Sequence, residues 1–130
     1  MPRILVAIDG SLRSEKALET AVKLAQQNGG RLTAITVFDS TGAPPWSRLS
    51  ESGRRKVRSR LEELLQTASN FAKSRGVLLA PLLCEGHPAE AIVACAEQQQ
   101  AELLVLGASR KPVGDAEIGG GVGFWNCGHG

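Results

Sequence analysis

Ile4-Leu5-Val6-Ala7-Ile8 is an unbroken apolar run with β-branched members, and Asp9-Gly10-Ser11 ends it abruptly. A strand with one wet face alternates apolar and polar residues. A run without alternation belongs to a strand covered on both faces, the habit of parallel sheets. Parallel neighbours need a crossover of a dozen or more residues, usually a helix. The next segment supplies one: Ala17, Leu18, Ala21, Val22, Leu24 and Ala25 form a helical stripe that stops at Asn28-Gly29-Gly30, where glycine suits a helix C-cap. Leu32 to Phe38 then reads as a second strand ending at Asp39-Ser40, which completes a βαβ unit.

The same alternation continues. Residues 39 to 53, DSTGAPPWSRLSESG, have loop composition. Val57, Leu61, Leu64, Leu65, Ala68 and Phe71 recur at three- and four-residue spacing and predict a long second helix ending near Gly76. Val77 to Leu83 predicts a third strand. Pro81 inside it removes a ladder hydrogen bond, so that strand is expected at a sheet edge. Pro88 suits a first helical turn, Ala89 to Gln99 continues a third helix, and Leu103 to Leu106 is a fourth strand reaching Gly107. The order βαβαβαβ, with right-handed crossovers, predicts an α/β fold: a doubly wound open parallel sheet. Beyond Gly107 the pattern stops. Residues 107 to 130 hold 8 of the 15 glycines and show no periodicity of useful length.

Composition excludes several classes. A chain of 130 residues is the size of one ordinary domain and large enough for a core without staples. Three cysteines, Cys84, Cys95 and Cys127, are too few for a secreted disulfide framework and lack CxxC spacing. No apolar stretch approaches the 18 or more residues of a membrane span, and no signal peptide precedes the first strand, so a cytoplasmic location and no membrane partner are expected. Against 13 acidic residues, 15 basic ones leave a net charge of +2, too weak a field to draw nucleic acid. Arg54, Arg55, Lys56, Arg58 and Arg60 read as the solvated side of the second helix. Cys84 and Cys95 read as small buried hydrophobes, His87 as a neutral loop residue, and Cys127 with His129 as an incidental pair rather than a metal site.

Ligands of open parallel sheets bind beyond the carboxyl ends of the strands, where strand order reverses. Asp9, the Val37 to Asp39 corner and the loop from Gly107 onward are therefore the positions to inspect. An acid after strand one accepts hydrogen bonds from a ribose or base; equally, it caps the following helix. A glycine-rich loop brings backbone N–H groups against phosphate, and equally reads as a flexible tail. No GxxxxGK[ST], GxSxG, HExxH or GxGxxG motif is present, so the common catalytic classes have no signature and the chain is not expected to be an enzyme.

Taken together, RILVAIDGS followed by SEKAL, then LTAITVFD, GHPAEAIVACA and AELLVLGAS resemble the universal stress protein family over residues 3 to about 109. The resemblance implies a Rossmann-like domain with strand order 3-2-1-4-5, frequent homodimers and, in a subset of members, ATP binding with Mg²⁺. It places base and ribose at Ala7, Asp9 and Val37, and phosphates on a loop of pattern G-x2-G-x9-G-[ST]. Here Gly107, Gly120 and Val122 keep that pattern, whereas Arg110 replaces the second glycine and Gly121 the Ser/Thr. Members continue from the loop into a fourth helix and a fifth strand, which this sequence lacks. The resemblance thus implies strand order 3-2-1-4, an exposed edge at strand four, a domain over residues 1–109 and an atypical tail over 110–130. Two functions stay open: a noncatalytic adenine-nucleotide-binding stress module, or a nucleotide-free one acting through a homo-oligomer or another protein partner.

Overall fold

A computed structural model describes residues 3–39, 51–107, 117–119 and 122–126, the last two stretches by their backbone. The order is β1 (Arg3–Ala7), α1 (Leu12–Asn28), β2 (Arg31–Phe38), α2 (Glu51–Ser74), β3 (Leu79–Glu85), α3 (Pro88–Gln98), β4 (Leu103–Gly107), β5 (Glu117–Gly119) and β6 (Val122–Asn126). The strands lie in one sheet in the order β3-β2-β1-β4-β6-β5. Strands β1 to β4 are mutually parallel where they pair, as the apolar first strand required.

The central strands owe their unbroken apolar character to cover on both faces. Ile4, Val6, Leu32, Ala34 and Val105 point into a core shared with Ala17, Ala21 and Val22 of α1 and Leu65, Ala68 and Ala72 of α2. Leu5, Ile35 and Leu104 point the other way, into a second core with Cys95 and Ala96 of α3. The alternating side-chain direction of a strand, combined with helices on both faces, leaves few positions for a polar residue. Thr36 is the one buried polar strand residue among those described, and it has no unsatisfied side-chain atom.

β3 is the outer strand on its side, and Pro81 is exposed there, opposite Ala34 of β2. Its missing N–H costs nothing because only one side of the strand is paired.

Two expectations are corrected. Helix α2 begins at Glu51, so residues 51 to 53, expected in the loop, form its first turn. More important, β4 is not an exposed edge. β6 pairs with it in antiparallel register, from Gly107↔Val122 to Leu103↔Asn126. The four parallel strands keep the order 3-2-1-4, and the place of a parallel fifth strand is taken by an antiparallel one. The glycine-rich composition concealed this. In sequence only Gly120 and Gly121 separate β5 from β6, which pair antiparallel.

The turn out of β1 starts α1. Gly10 has φ +86°, a left-handed value that favours glycine. Ser11 is the N-cap: its Oγ accepts from the Ser14 N–H at 3.2 Å, and the Ser14 hydroxyl donates to the Ser11 carbonyl at 3.0 Å. Replacing Ser11 by alanine is expected to cost about 1 kcal/mol, read as a lower urea midpoint with an unchanged slope. A midpoint equal to the parent's would show that the cap contributes nothing.

Candidate functional site

Parallel pairing puts the carboxyl ends of β1 to β4, and the N-termini of the helices that follow β1 to β3, at one edge of the sheet. From β1 the chain crosses to β2 on one side, while β4 joins β1 on the other. The carboxyl end of β1 is therefore the switch point. Ala7 ends β1 and is half-buried; the Ile8 N–H extends the strand by donating to the Ile35 carbonyl at 2.9 Å. Asp9 follows, exposed. Val37, half-buried near the end of β2, and Gly107, exposed at the end of β4, flank it on the two neighbouring strands.

Asp9 is not the helix cap, since Ser11 fills that role, but it supports the same turn. Its Oδ1 accepts from the Ser11 N–H at 2.9 Å. Partial burial raises its pKa, but hydrogen bonds from the Ser11 side chain and backbone and from Ser14 outweigh burial, and the carboxyl lies below its ordinary 3.8. At neutral pH the side chain is an ordered, ionised acceptor facing solvent at the switch point.

Gly107 has a structural reason of its own. A Cβ built there would stand 2.8 Å from the carbonyl carbon and Cβ of Arg13 and 2.9 Å from its carbonyl oxygen. The strand end thus rests directly on the first turn of α1. That contact brings helix N-terminal N–H groups, the positive end of a helix, beside Gly107. Gly107 also pairs in register with Val122, so the backbone of Val122 reaches the same edge. Arg110, Gly120 and Gly121 lie outside the described residues.

Arg58 is a residue that sequence reasoning passed over. It shares the basic run with four neighbours, yet its guanidinium forms an ion pair with Glu85 and lies 5.5 Å from the centroid of the Phe38 ring. It therefore ties the start of α2 to the carboxyl ends of β2 and β3. No local signal marks it, since Lys56 adjoins Val57, the first residue of the apolar stripe, just as Arg58 does.

A cleft of about 910 Å³ opens at the opposite edge, lined among others by Arg3, Arg31, Gly29, Gly76, Gln99 and Ala101. Helices α1, α2 and α3 all end there. Helix C-termini present unpaired carbonyls and attract cations, and the Arg3 guanidinium donates to the Gln99 carbonyl at 3.4 Å and to Gln100 Oε1 at 2.8 Å. Among the described residues no group of three or more metal-ligating side chains occurs, and no helix is long and apolar enough to cross a membrane.

An open α/β sheet with an ionised acid at the switch point and a glycine at the end of the adjacent strand defines the class of small doubly wound domains with a ligand crevice at the carboxyl edge. Residues 1–119 match the universal stress protein family, and the chain belongs to it. It is 31% identical over 115 residues to a universal stress protein of Methanocaldococcus jannaschii, covering 84% of this chain and 65% of the relative, so it spans just under two thirds of that protein. A universal stress family protein of Burkholderia pseudomallei is 34% identical, with TM-score 0.65 over 82% of this chain and 80% of the other. The universal stress protein of Archaeoglobus fulgidus solved in complex with dAMP is 25% identical, with TM-score 0.61 over 82% and 81%.

Proposed function

We propose that the carboxyl edge is an adenine-nucleotide site on a noncatalytic stress-response module. One observation carries this reading: Ala7, Asp9, Val37 and Gly107, from three neighbouring strands, converge at the switch point around an ionised, exposed carboxylate. The half-buried apolar side chains of Ala7 and Val37 suit the face of a base. Asp9 suits ribose hydroxyls, which donate to a carboxylate and cannot be confused with phosphate, which it repels. Phosphates would then extend toward Gly107 and the α1 N-terminus, with Arg110, Gly120, Gly121 and Val122 completing the loop. The dAMP-bound relative supports the ligand class. ATP is the ligand proposed, with Mg²⁺ arriving on its phosphates, since such ions are held largely by phosphate and water. The protein would bind and respond rather than turn over. Residues 1–109 are proposed as the shared module and 110–130 as its variable segment, acting in the cytoplasm as a homo-oligomer.

One observation favours the second reading. After Gly120 and Gly121 the chain enters strand β6, so the helix N-terminus that follows the phosphate loop in the family is replaced by a strand. A nucleotide-free module working through protein contacts follows from a phosphate site so weakened.

Calorimetric titration of nucleotide-stripped protein with ATP and Mg²⁺ separates the two. A micromolar dissociation constant, about −8 kcal/mol, supports the site, and Asp9→Ala should then weaken binding about tenfold or more, a loss of about 1.4 kcal/mol. No heat at millimolar ATP selects the nucleotide-free reading. Tight binding untouched by Asp9→Ala would place the nucleotide elsewhere.

A further inference from the structure

Cys84 on β3 and Cys95 on α3, with ten residues between them in sequence, meet in the core on the α3 face of the sheet, beside Leu82, Ile92 and Ile35. Both are free thiols packed in one core cluster, and Cys84 is the titratable group that bears directly on Cys95. Small residues let α3 come so near: its sequence, PAEAIVACAEQ, is largely alanine around Cys95. The two thiols differ in access. Cys84 is half-buried on an outer strand, whereas Cys95 is 5% exposed. Burial, and the adjacent Cys84, push the Cys95 thiol up to about 12.

We propose that Cys84 and Cys95 form a thiol modification site at which a hydroperoxide makes an intramolecular disulfide joining β3 to α3. The Cys84 thiolate attacks a peroxide oxygen: an S–O bond forms, the O–O bond breaks, and water or an alcohol leaves with a proton from solvent. The Cys95 sulfur then attacks Sγ of Cys84; an S–S bond forms, the S–O bond breaks, and water leaves with the Cys95 proton. Two thiols lose two electrons and the peroxide gains them. The elements joined are lightly held, which gives the bond something to change. α3 has 11 residues, buries Cys95 and Ala96, and starts at His87 without a side-chain cap bond. β3 pairs on one side, with Cys84 opposite Val37 of the proposed nucleotide crevice. The disulfide would staple the helix to the strand that borders that crevice. The inference stands independently of nucleotide binding, because its readout is chemical.

The test treats the reduced full-length chain with hydrogen peroxide and follows intact mass and non-reducing peptide maps, in parallel with a Cys127→Ser variant that removes the third thiol. The expected result in both is a monomer lighter by two hydrogens, a peptide linking Cys84 to Cys95, and full reversal by dithiothreitol. Cys95→Ala should convert the linkage into oxygen addition at Cys84. Oxygen addition at Cys84 of the parent chain without linkage to Cys95, or disulfides only to Cys127 or between chains, would overturn the proposal. The parent chain's own map decides the matter even where Cys95→Ala does not fold.

Discussion

Gly107→Val is expected to destabilise the protein by about 3 kcal/mol or more, and Gly107→Ala by about 1–3 kcal/mol, in the manner of an overpacked core position. The cause is backbone, not side chain. A Cβ at this position meets the carbonyl carbon, Cβ and carbonyl oxygen of Arg13 at 2.8 to 2.9 Å, inside van der Waals contact. Neither partner can rotate away. β4 is fixed between β1 and β6, and Arg13 lies in the first turn of α1, whose cap at Ser11 is hydrogen-bonded. Either the end of β4 or the start of α1 must move, and both lie beside the turn that carries Asp9. Chemical denaturation of the three proteins, followed by far-UV dichroism, measures the effect. A Gly107→Ala midpoint within experimental error of the parent would show that the close approach relaxes freely and that Gly107 is free to serve a ligand alone. A large loss shows that its glycine identity is required by packing before any phosphate is considered.

Ile35→Ala is expected to cost about 3–5 kcal/mol, a large share of the 5–15 kcal/mol typical of a domain. Ile35 is fully buried and sits in β2 between Ala7 of β1 and Leu82 of β3. It belongs to the core under α3, which also contains Val37, Cys84 and Cys95. Removing three carbons leaves a void that strands paired on both sides collapse poorly to fill, so the cavity adds to the lost burial. Ile35→Val, which removes one carbon, should cost about 1 kcal/mol. Leu78→Ala is the comparison: Leu78 is 85% exposed, and its truncation should change stability by no more than about 0.5 kcal/mol. Equal losses at positions 35 and 78 would contradict the two-core description of the sheet.

Much of the fold was legible because burial writes itself into composition. Ile4 to Ile8 could be unbroken only in a strand covered on both faces, and α1 and α2 on one side with α3 on the other provide that cover. Pro81 announced an outer strand, and β3 is one. Helix ends were legible where chemistry is local: Gly29 is left-handed at the end of α1, and Pro88 opens α3. The C-terminal segment was not legible. A five-residue strand with glycine inside it has no strong local preference, and β6 is specified by its pairing with β4 rather than by its own sequence. Likewise, nothing local in the basic run distinguishes Arg58, which is singled out by Phe38 and Glu85 arriving from other elements.

The sequence by itself determined the alternation of strands and helices, the family, and the places of Ala7, Asp9, Val37 and Gly107 at the carboxyl ends of their strands. The alternation follows from periodicity and from residue types whose conformational limits act within a few positions, and the family from the resemblance of whole segments. The tertiary structure alone decided three things: that an antiparallel strand closes the edge of β4, that Gly107 is held by the backbone of Arg13, and that Cys84 and Cys95 share one core. All three are contacts between residues distant in sequence. Their energies depend on how whole elements pack, and no local pattern records that.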